Sequence, residues 1–209
     1  MKHKLMIIVL CVVFTYQCKA QANTYNLKKG DLVFQDLDCG SMCNAIEEVT
    51  EGYMQRDFSH VAMIVEKDSM LYAIEAIGKY VQLNPLESFM SRVPADKMLK
   101  MRLKENFWVL IPKANEIALS YVGIPYDDRF IMNNDSLYCS ELIFDAFKTA
   151  QNGVPLFSLA PMTYKIPGQH SFYPVWIDYY KALGSKIPEG LPGINPGLLS
   201  RSEFLVPIE

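Results

Sequence analysis

Short apolar runs separated by turn-forming residues dominate the first half of the chain. The near-continuous apolar run at 58–65 is typical of a strand buried on both faces of a sheet. A polar turn at 66–69 joins it to the next run and leaves no room for a crossover helix. The pattern therefore predicts an antiparallel meander with strands at 32–34, 58–65, 70–76, 79–83 and 98–103.

Helical periodicity occurs between these runs and after them. It predicts helices at 41–50, 86–91 and 112–122, followed by one that carries Cys139 and is closed by Gly153 and Pro155. From residue 157 onward prolines, glycines and aromatic residues predict an ordered but irregular C-terminal segment. The predicted fold class is α+β, with helices packed on one antiparallel sheet.

Cys139 is the first candidate for chemistry. Polar residues lead directly into its helix, whose apolar face is formed by Leu142, Ile143, Ala146 and Phe147. We expect Asp135 or Ser136 to cap the helix, which places Cys139 in the first turn, where the helix dipole and free amides favour an anionic sulfur. A lone cysteine in an amphipathic helix is more often a packing residue, so its role depends on a nearby base.

His60 and Glu75 are the candidates for that base and its partner. Each is a polar residue inside an otherwise apolar strand, where an unpaired polar group is costly. A plain hairpin around the 66–69 turn would place the two side chains opposite each other. A carboxylate beside an imidazole can orient a catalytic base, although a purely structural His–Glu pair is the alternative. His170 lies in a polar loop, where we expect it to be exposed.

The N-terminal segment indicates export. Residues 1–22 combine a basic start, a short apolar run and small residues near the end, which predicts a secretory signal peptide followed by a single domain at 23–209. Lipidation of Cys18 is the alternative. Cleavage would remove three lysines and no acid, changing the net charge from −3 to −6. We therefore expect no nucleic-acid binding, no transmembrane segment after processing, and a periplasmic or cell-surface location in a Gram-negative bacterium.

Three cysteines remain after such processing. Cys39 and Cys43 are able to pair in an oxidising compartment, which would leave Cys139 as the odd thiol. The Cys-x3-Cys spacing is not followed by a second pair of metal ligands. We therefore predict neither a metal nor a cofactor.

Five short motifs occur in an order that resembles the YiiX-like branch of the NlpC-type cysteine hydrolases. These enzymes have a circularly permuted papain-like fold, in which the histidine strand precedes the cysteine helix. The resemblance spans nearly the whole mature chain and is carried by residues 30–34, 58–64, 74–76, 123–127 and 138–142.

The resemblance implies a role for each of three residues. Cys139 would be the nucleophile, His60 the base and Glu75 the residue that orients the base, while the Cys139 backbone amide would serve the oxyanion. Tyr138 departs from ordinary NlpC-type enzymes, which have an aspartate before the cysteine and cleave peptidoglycan stem peptides.

Four further residues are predicted to contact substrate. Aromatic residues near the nucleophile can line a pocket, as can Tyr164, although aromatic residues in apolar settings are more often core. A polar residue near the end of the first strand can assist the oxyanion. The predicted substrate-contacting residues are Tyr138, Tyr126, Ser140 and Gln35.

The resulting hypothesis is a secreted cysteine hydrolase that cleaves an amide bond, in a peptide or a cell-wall fragment, through a thioester intermediate. One alternative is a lipid-directed acyltransferase or lipid-amide hydrolase, because the wider permuted group includes enzymes similar to lecithin:retinol acyltransferase. The other is a non-catalytic binding module on the same fold. The sequence does not distinguish among the substrates or define the oligomeric state.

Overall fold

A computed structural model describes residues 25–208 of the chain. The predicted signal peptide at 1–22 and the alternative lipidation site at Cys18 lie outside this range and stay predictions. No helix within the described range is long and apolar enough to cross a membrane.

A six-stranded antiparallel sheet is the centre of the fold. Its strands follow the spatial order β4-β3-β2-β1-β5-β8. A separate two-stranded ribbon is formed by β6 and β7. The strand bounds are β1 Leu32–Gln35, β2 His60–Lys67, β3 Met70–Ile77, β4 Tyr80–Pro85, β5 Met98–Leu103, β6 Ala160–Pro161, β7 Pro192–Gly193 and β8 Leu205–Pro207.

Helices cover both faces and the ends of this sheet. The predicted helices are all present, with bounds within a few residues of those expected. The predicted helices are α1 Ser41–Glu48, α2 Leu86–Met90, α3 Ile111–Ser120 and α4 Cys139–Ala150, and two further helices that were not predicted are α5 Pro174–Ala182 and α6 Pro196–Ser200. Short 3-10 turns occur at Tyr53–Gln55, Ala95–Lys97 and Glu105–Leu110.

The sheet is buried on both faces by different helices. One face carries Phe34, Val61 and Met63 and packs against the apolar side of α4. The other carries Ala62 and Ile64 and packs against the short helix α2. This double burial explains why β2 is apolar along nearly its whole length rather than alternating.

The β2–β3 hairpin turns more tightly than expected. Asp68 and Ser69 form its tip with φ values of 50° and 62°, the left-handed conformations of a two-residue hairpin turn. The ladder pairs Met63 with Ile74, so the predicted direct pairing of His60 with Glu75 is wrong by two positions. Because side chains alternate with a period of two, this shift keeps both residues on the same face.

The C-terminal segment is more regular than predicted. It contains α5 and α6, and its last strand, β8, extends the sheet by pairing with β5. The two-residue and three-residue strands of this region are too short to give a periodic signal. Aromatic packing stabilises this segment. Tyr164 packs against Trp176 and Tyr180 of α5 in one buried cluster, which also contacts α1.

Candidate active site

Cys139 is the first residue of α4 and is only 6% exposed. The residue before it, Tyr138, is the N-cap and makes no side-chain capping bond. The expected cap by Asp135 or Ser136 is therefore wrong, and the backbone amide and hydroxyl of Ser136 bond instead to the Asn134 side chain. The backbone N–H groups of the first helical turn have no carbonyl partner within the helix. They lie at the N-terminal end of α4, which is also the end that carries Cys139.

His60 connects Cys139 to Glu75. Its buried ring bonds through Nε2 to Glu75 Oε2 at 2.5 Å. This bond leaves Nδ1 as the ring nitrogen available to Cys139. Burial lowers the pKa of His60, but the neighbouring Cys139 and Glu75 outweigh this effect and raise it to about 9. These neighbours therefore favour the protonated, imidazolium form of His60.

Glu75 is fully buried, yet it is held as an anion. Burial by itself raises the pKa of this carboxyl, but bonds from Arg92 and His60, together with their charges, lower it to about 2. Arg92 donates from Nη1 to Oε2 at 2.8 Å and from Nη2 to Oε1 at 2.5 Å. The Asn84 side chain donates to Oε1 at 2.7 Å.

Sequence reasoning missed both Arg92 and Asn84. Asn84 lies two positions along β4 from Gln82, the direct partner of Glu75. The alternation of strand side chains could therefore have placed Asn84 on the face of Glu75. Arg92 follows α2 outside any periodic element, so no sequence pattern indicates its contact.

A small pocket of about 50 Å³ lies beside Cys139. Three of the four predicted substrate-contacting residues line it, namely Tyr126, Tyr138 and Ser140. Burial, followed by the nearby Cys139, raises the pKa of the Tyr126 hydroxyl well above its usual range. Most of the remaining wall is apolar or aromatic and includes Phe130, Met162, Tyr164, Trp176 and Ile194.

The two residues that flank Cys139 hold one wall of this pocket in place. The Tyr138 hydroxyl accepts a bond from the Ile194 amide at 3.2 Å and contacts Met132 Sδ at 3.1 Å. The Ser140 hydroxyl donates to the Ile194 carbonyl at 2.8 Å. Both hydroxyls are thus used inside the protein, which leaves the Tyr138 ring rather than its hydroxyl to contact a ligand.

Gln35 has a different position from the one expected. It pairs with His60 across β1 and β2, is fully buried, and is absent from the pocket wall. Its side-chain amide donates to the Phe89 carbonyl at 3.2 Å. Gln35 therefore supports the strand that carries His60. This bond uses one of its two amide hydrogens, and its role at the oxyanion stays a prediction.

Glu141 is a buried carboxyl that sequence reasoning also missed. It lies in the first turn of α4 and is 3% exposed. Its Oε1 accepts a bond from the Asn133 amide at 3.2 Å, whereas its Oε2 has no partner. Burial raises its pKa to about 8. His170, the other histidine of the described range, is exposed as expected.

Comparison with known proteins identifies the family. Residues 26–206 match the sequence model described as the permuted papain-like amidase enzyme, YaeF/YiiX, C92 family. The chain belongs to this family. Membership confirms the resemblance to YiiX-like proteins, and it makes this C92-family protein a cysteine hydrolase that acts on amides.

Two relatives of this C92-family protein come from Escherichia coli. The uncharacterized protein YiiX of strain K12 is 29% identical over 151 residues, which are 72% of this chain and 69% of that protein. A crystal structure of metalloprotein YiiX from strain O157:H7 is similar with a TM-score of 0.70 and 24% identity. It covers 87% of this chain and 96% of that one, and at this identity it shows a shared fold.

The second relative is described as a metalloprotein, so we compared the donor groups of this C92-family chain with those a metal requires. Within residues 25–208, no group of three or more His, Cys, Asp or Glu side chains is arranged to hold an ion. Nε2 of His60 is already bonded to Glu75. The described residues therefore do not fit a resident metal.

Proposed function

We propose that this protein is an exported amidase in which Cys139 is the nucleophile, His60 the general base and Glu75 the residue that orients His60. The observation that carries the proposal is the buried His60 ring, which bonds Glu75 at 2.5 Å and has its pKa raised by the neighbouring Cys139. A nucleophile, a base and an orienting carboxylate in contact are the parts that covalent acyl transfer requires.

Each step of the proposed reaction uses a described group. The Cys139 proton passes to His60 Nδ1, and the sulfur attacks the carbonyl carbon of the amide. The α4 N-terminus, including the Cys139 amide, stabilises the oxyanion that forms. His60 then protonates the leaving nitrogen, so that an amine departs and a thioester remains. Water attacks the thioester with His60 as base, which releases a carboxylic acid and restores the thiol.

The disulfide between Cys39 and Cys43 supports export. Structural disulfides persist in oxidising compartments and are rare in the cytosol. Together with the sequence of residues 1–22, this bond favours a periplasmic or cell-surface location. Cys139 is the free cysteine of the described range, as a thiol nucleophile must be.

The substrate must carry an apolar group next to its amide. Tyr126, Phe130, Tyr138, Tyr164 and Trp176 dominate the pocket beside Cys139, and such a surface favours apolar over charged ligands. This observation supports the second candidate, a lipid-amide hydrolase or a lipid-directed acyltransferase. A hydrolase of peptide or cell-wall amides remains the first candidate. In that case the pocket would bind an apolar side chain of the substrate, next to the amide that is cleaved.

The proposal is tested by site-specific alkylation and by turnover. Iodoacetamide should modify Cys139 rapidly in the wild type, as located by peptide mass spectrometry. His60→Ala should slow this labelling, while His170→Ala, which changes an exposed histidine, should leave it unchanged. Rapid labelling at neutral pH in His60→Ala would contradict the role of His60.

Turnover distinguishes the candidate substrates. Purified protein is incubated with muropeptides and, separately, with N-acyl amino acids of increasing chain length, and products are followed by mass. Release of an amine and an acid by the wild type, lost in Cys139→Ala, supports hydrolysis. Transfer of the acyl group to an added acceptor supports the transferase. Turnover that persists in Cys139→Ala would exclude Cys139 as the nucleophile.

A further inference from the structure

Arg92 makes a bidentate hydrogen bond with Glu75, the carboxylate that bonds the candidate base His60. Its Nη1 and Nη2 donate to Oε2 and Oε1 of Glu75 at 2.8 Å and 2.5 Å. The planar guanidinium also lies over the Phe89 ring, 5.1 Å from its centroid. A bidentate bond of this kind fixes the plane of the carboxylate as well as its charge.

The four bonds to Glu75 divide between its two oxygens. Asn84 and Arg92 occupy Oε1, while Arg92 and His60 share Oε2. The orientation of Oε2 toward Nε2 of His60 is therefore set by groups on the far side of the carboxylate. The bond to Glu75 uses Nε2 and leaves Nδ1 as the ring nitrogen available to Cys139.

Charge supports the same arrangement. Glu75 is 0% exposed, and burial of a carboxylate favours its neutral form. The charged groups that face the His60–Glu75 pair in the described structure are Arg92 and the ionisable thiol of Cys139. Arg92 supplies the permanent positive charge that keeps Glu75 ionised when His60 is neutral.

We propose that Arg92 is a positioning residue for catalysis, which holds Glu75 as an oriented anion so that His60 keeps a proton on Nε2 and presents Nδ1 to Cys139. This inference rests on the proposed function of the three residues. It adds a fourth member, which touches neither substrate nor thiol and acts through Glu75. A neutral Glu75 would no longer stabilise the imidazolium form of His60, so Cys139 would lose its charged partner.

The test is the pH dependence of Cys139 alkylation by iodoacetamide, which needs no knowledge of the substrate. Rates are measured from pH 4 to 10 on the full chain, with modification at Cys139 quantified by mass. In Arg92→Gln, the acid limb of the profile should move upward by about one pH unit or more, as expected for loss of an adjacent opposite charge. At pH values below both midpoints, a shift of one unit corresponds to a fall of roughly tenfold in rate.

Two further variants separate positioning from folding. Arg92→Lys keeps the positive charge but cannot make the bidentate bond to Glu75. The acid limb of its profile should therefore lie between those of the wild type and Arg92→Gln. Arg102→Gln is the matched control, because Arg102 holds the buried Asp31 by a similar fork with bonds of 2.7 Å. It should lower stability without moving the profile. If Arg92→Gln does not fold, Arg92→Lys carries the test alone, with a smaller upward shift expected.

An Arg92→Gln profile that superimposes on the wild type, or shifts downward, would overturn the role of Arg92. An equal shift in Arg102→Gln would overturn it too, because the effect would then be a general one. The proposed function fails separately, when His60→Ala labels as rapidly as the wild type. A normal His60 result with an unshifted Arg92 profile rejects the Arg92 inference and retains the amidase.

Discussion

His60 and Glu75 contact each other diagonally across the β2–β3 hairpin. The register that pairs Met63 with Ile74 carries Glu75 opposite Ala62, two positions from His60. A diagonal pair is farther apart at Cβ than a direct pair, and only long side chains span it. The length of the glutamate side chain is therefore part of the site.

We predict that Glu75→Asp is nearly as damaging as Glu75→Gln. Aspartate keeps the charge, but it is one methylene shorter and cannot reach Nε2 across the diagonal while it stays bonded to Arg92. Glutamine keeps the length and loses the charge. Both should reduce amide turnover by about 100-fold or more, the usual contribution of an oriented acid–base group. Steady-state rates check this, and activity near the wild-type level in Glu75→Asp would contradict the reach argument.

The pKa of His60 should fall when the sulfur is removed. Burial lowers this pKa, and Cys139 is the first of the neighbours that raise it to about 9. In Cys139→Ala the ring keeps its burial and its bond to Glu75 and loses the sulfur. NMR titration of the His60 ring protons should show a midpoint below that of the wild type. An unchanged midpoint would mean that the sulfur and ring do not interact.

The same pKa has a consequence for stability. The folded state binds the His60 proton more tightly than the unfolded state, whose ordinary value is 6.5. The stabilisation is therefore fully present below about pH 6.5 and is lost as the pH rises through about 9. Denaturant unfolding of the wild type over this range should show the decline, and in His60→Ala the decline should be shallower.

Glu141 should destabilise the protein at neutral and alkaline pH. Burial raises its pKa from 4.5 to about 8, so the folded state resists ionisation that the unfolded state permits. Stability should fall between these two values and then level off. Glu141→Gln removes the ionisation and should be more stable than the wild type at pH 8, by roughly 4 kcal/mol on the scale of about 1.4 kcal/mol for each pKa unit. At pH 4 the two proteins should unfold alike, and a gain of equal size at both pH values would contradict this account.

Tyr138→Phe and Ser140→Ala should each weaken the fold. The first leaves the Ile194 amide without its partner and the second leaves the Ile194 carbonyl without one. Each orphaned buried group costs about 1–3 kcal/mol. Because both variants act on one peptide segment, their effects should not add, and a double-mutant cycle by chemical denaturation measures the coupling. Strict additivity would show that the two bonds act independently.

Reduction of the Cys39–Cys43 bond should loosen α1. The bond joins residues four apart at the start of this helix, and closing so short a loop stabilises by roughly 2 kcal/mol in the chain-entropy treatment. Dithiothreitol should therefore lower the melting temperature of the wild type. The double variant Cys39→Ser/Cys43→Ser serves as the control and should melt at one temperature with or without reductant.

Most of the sheet could be predicted from the sequence because its strands are separated by clear turns. The β2 strand is detectable from a continuous apolar run, and the polar residues that interrupt two neighbouring apolar strands, His60 in β2 and Glu75 in β3, indicated the site. The register was wrong because the tip of the hairpin is formed by Asp68 and Ser69 alone. Nothing in their residue types demanded the two-residue turn over a four-residue one.

The remainder of the site depends on contacts between distant residues, which periodicity does not reveal. Arg92 follows a five-residue helix, and only the packing of that helix on the sheet brings it to Glu75. Ile194 is 54 residues from Ser140 along the chain. The C-terminal wall of the pocket and the pairing of β8 with β5 also depend on contacts between residues far apart in the sequence, so neither could be predicted.

Ile194 lines the pocket beside Cys139 but is synthesised after it, so the pocket is incomplete while the chain is being made. The ribosome releases Cys139 well before it releases Gly193 and Asn195, so a growing chain exposes the sulfur to water with one side of its cleft missing. Only the finished polypeptide encloses it. A protease that removed the chain after residue 193 would retain the sulfur and take away the part of the pocket wall formed by Ile194, Asn195 and Pro196.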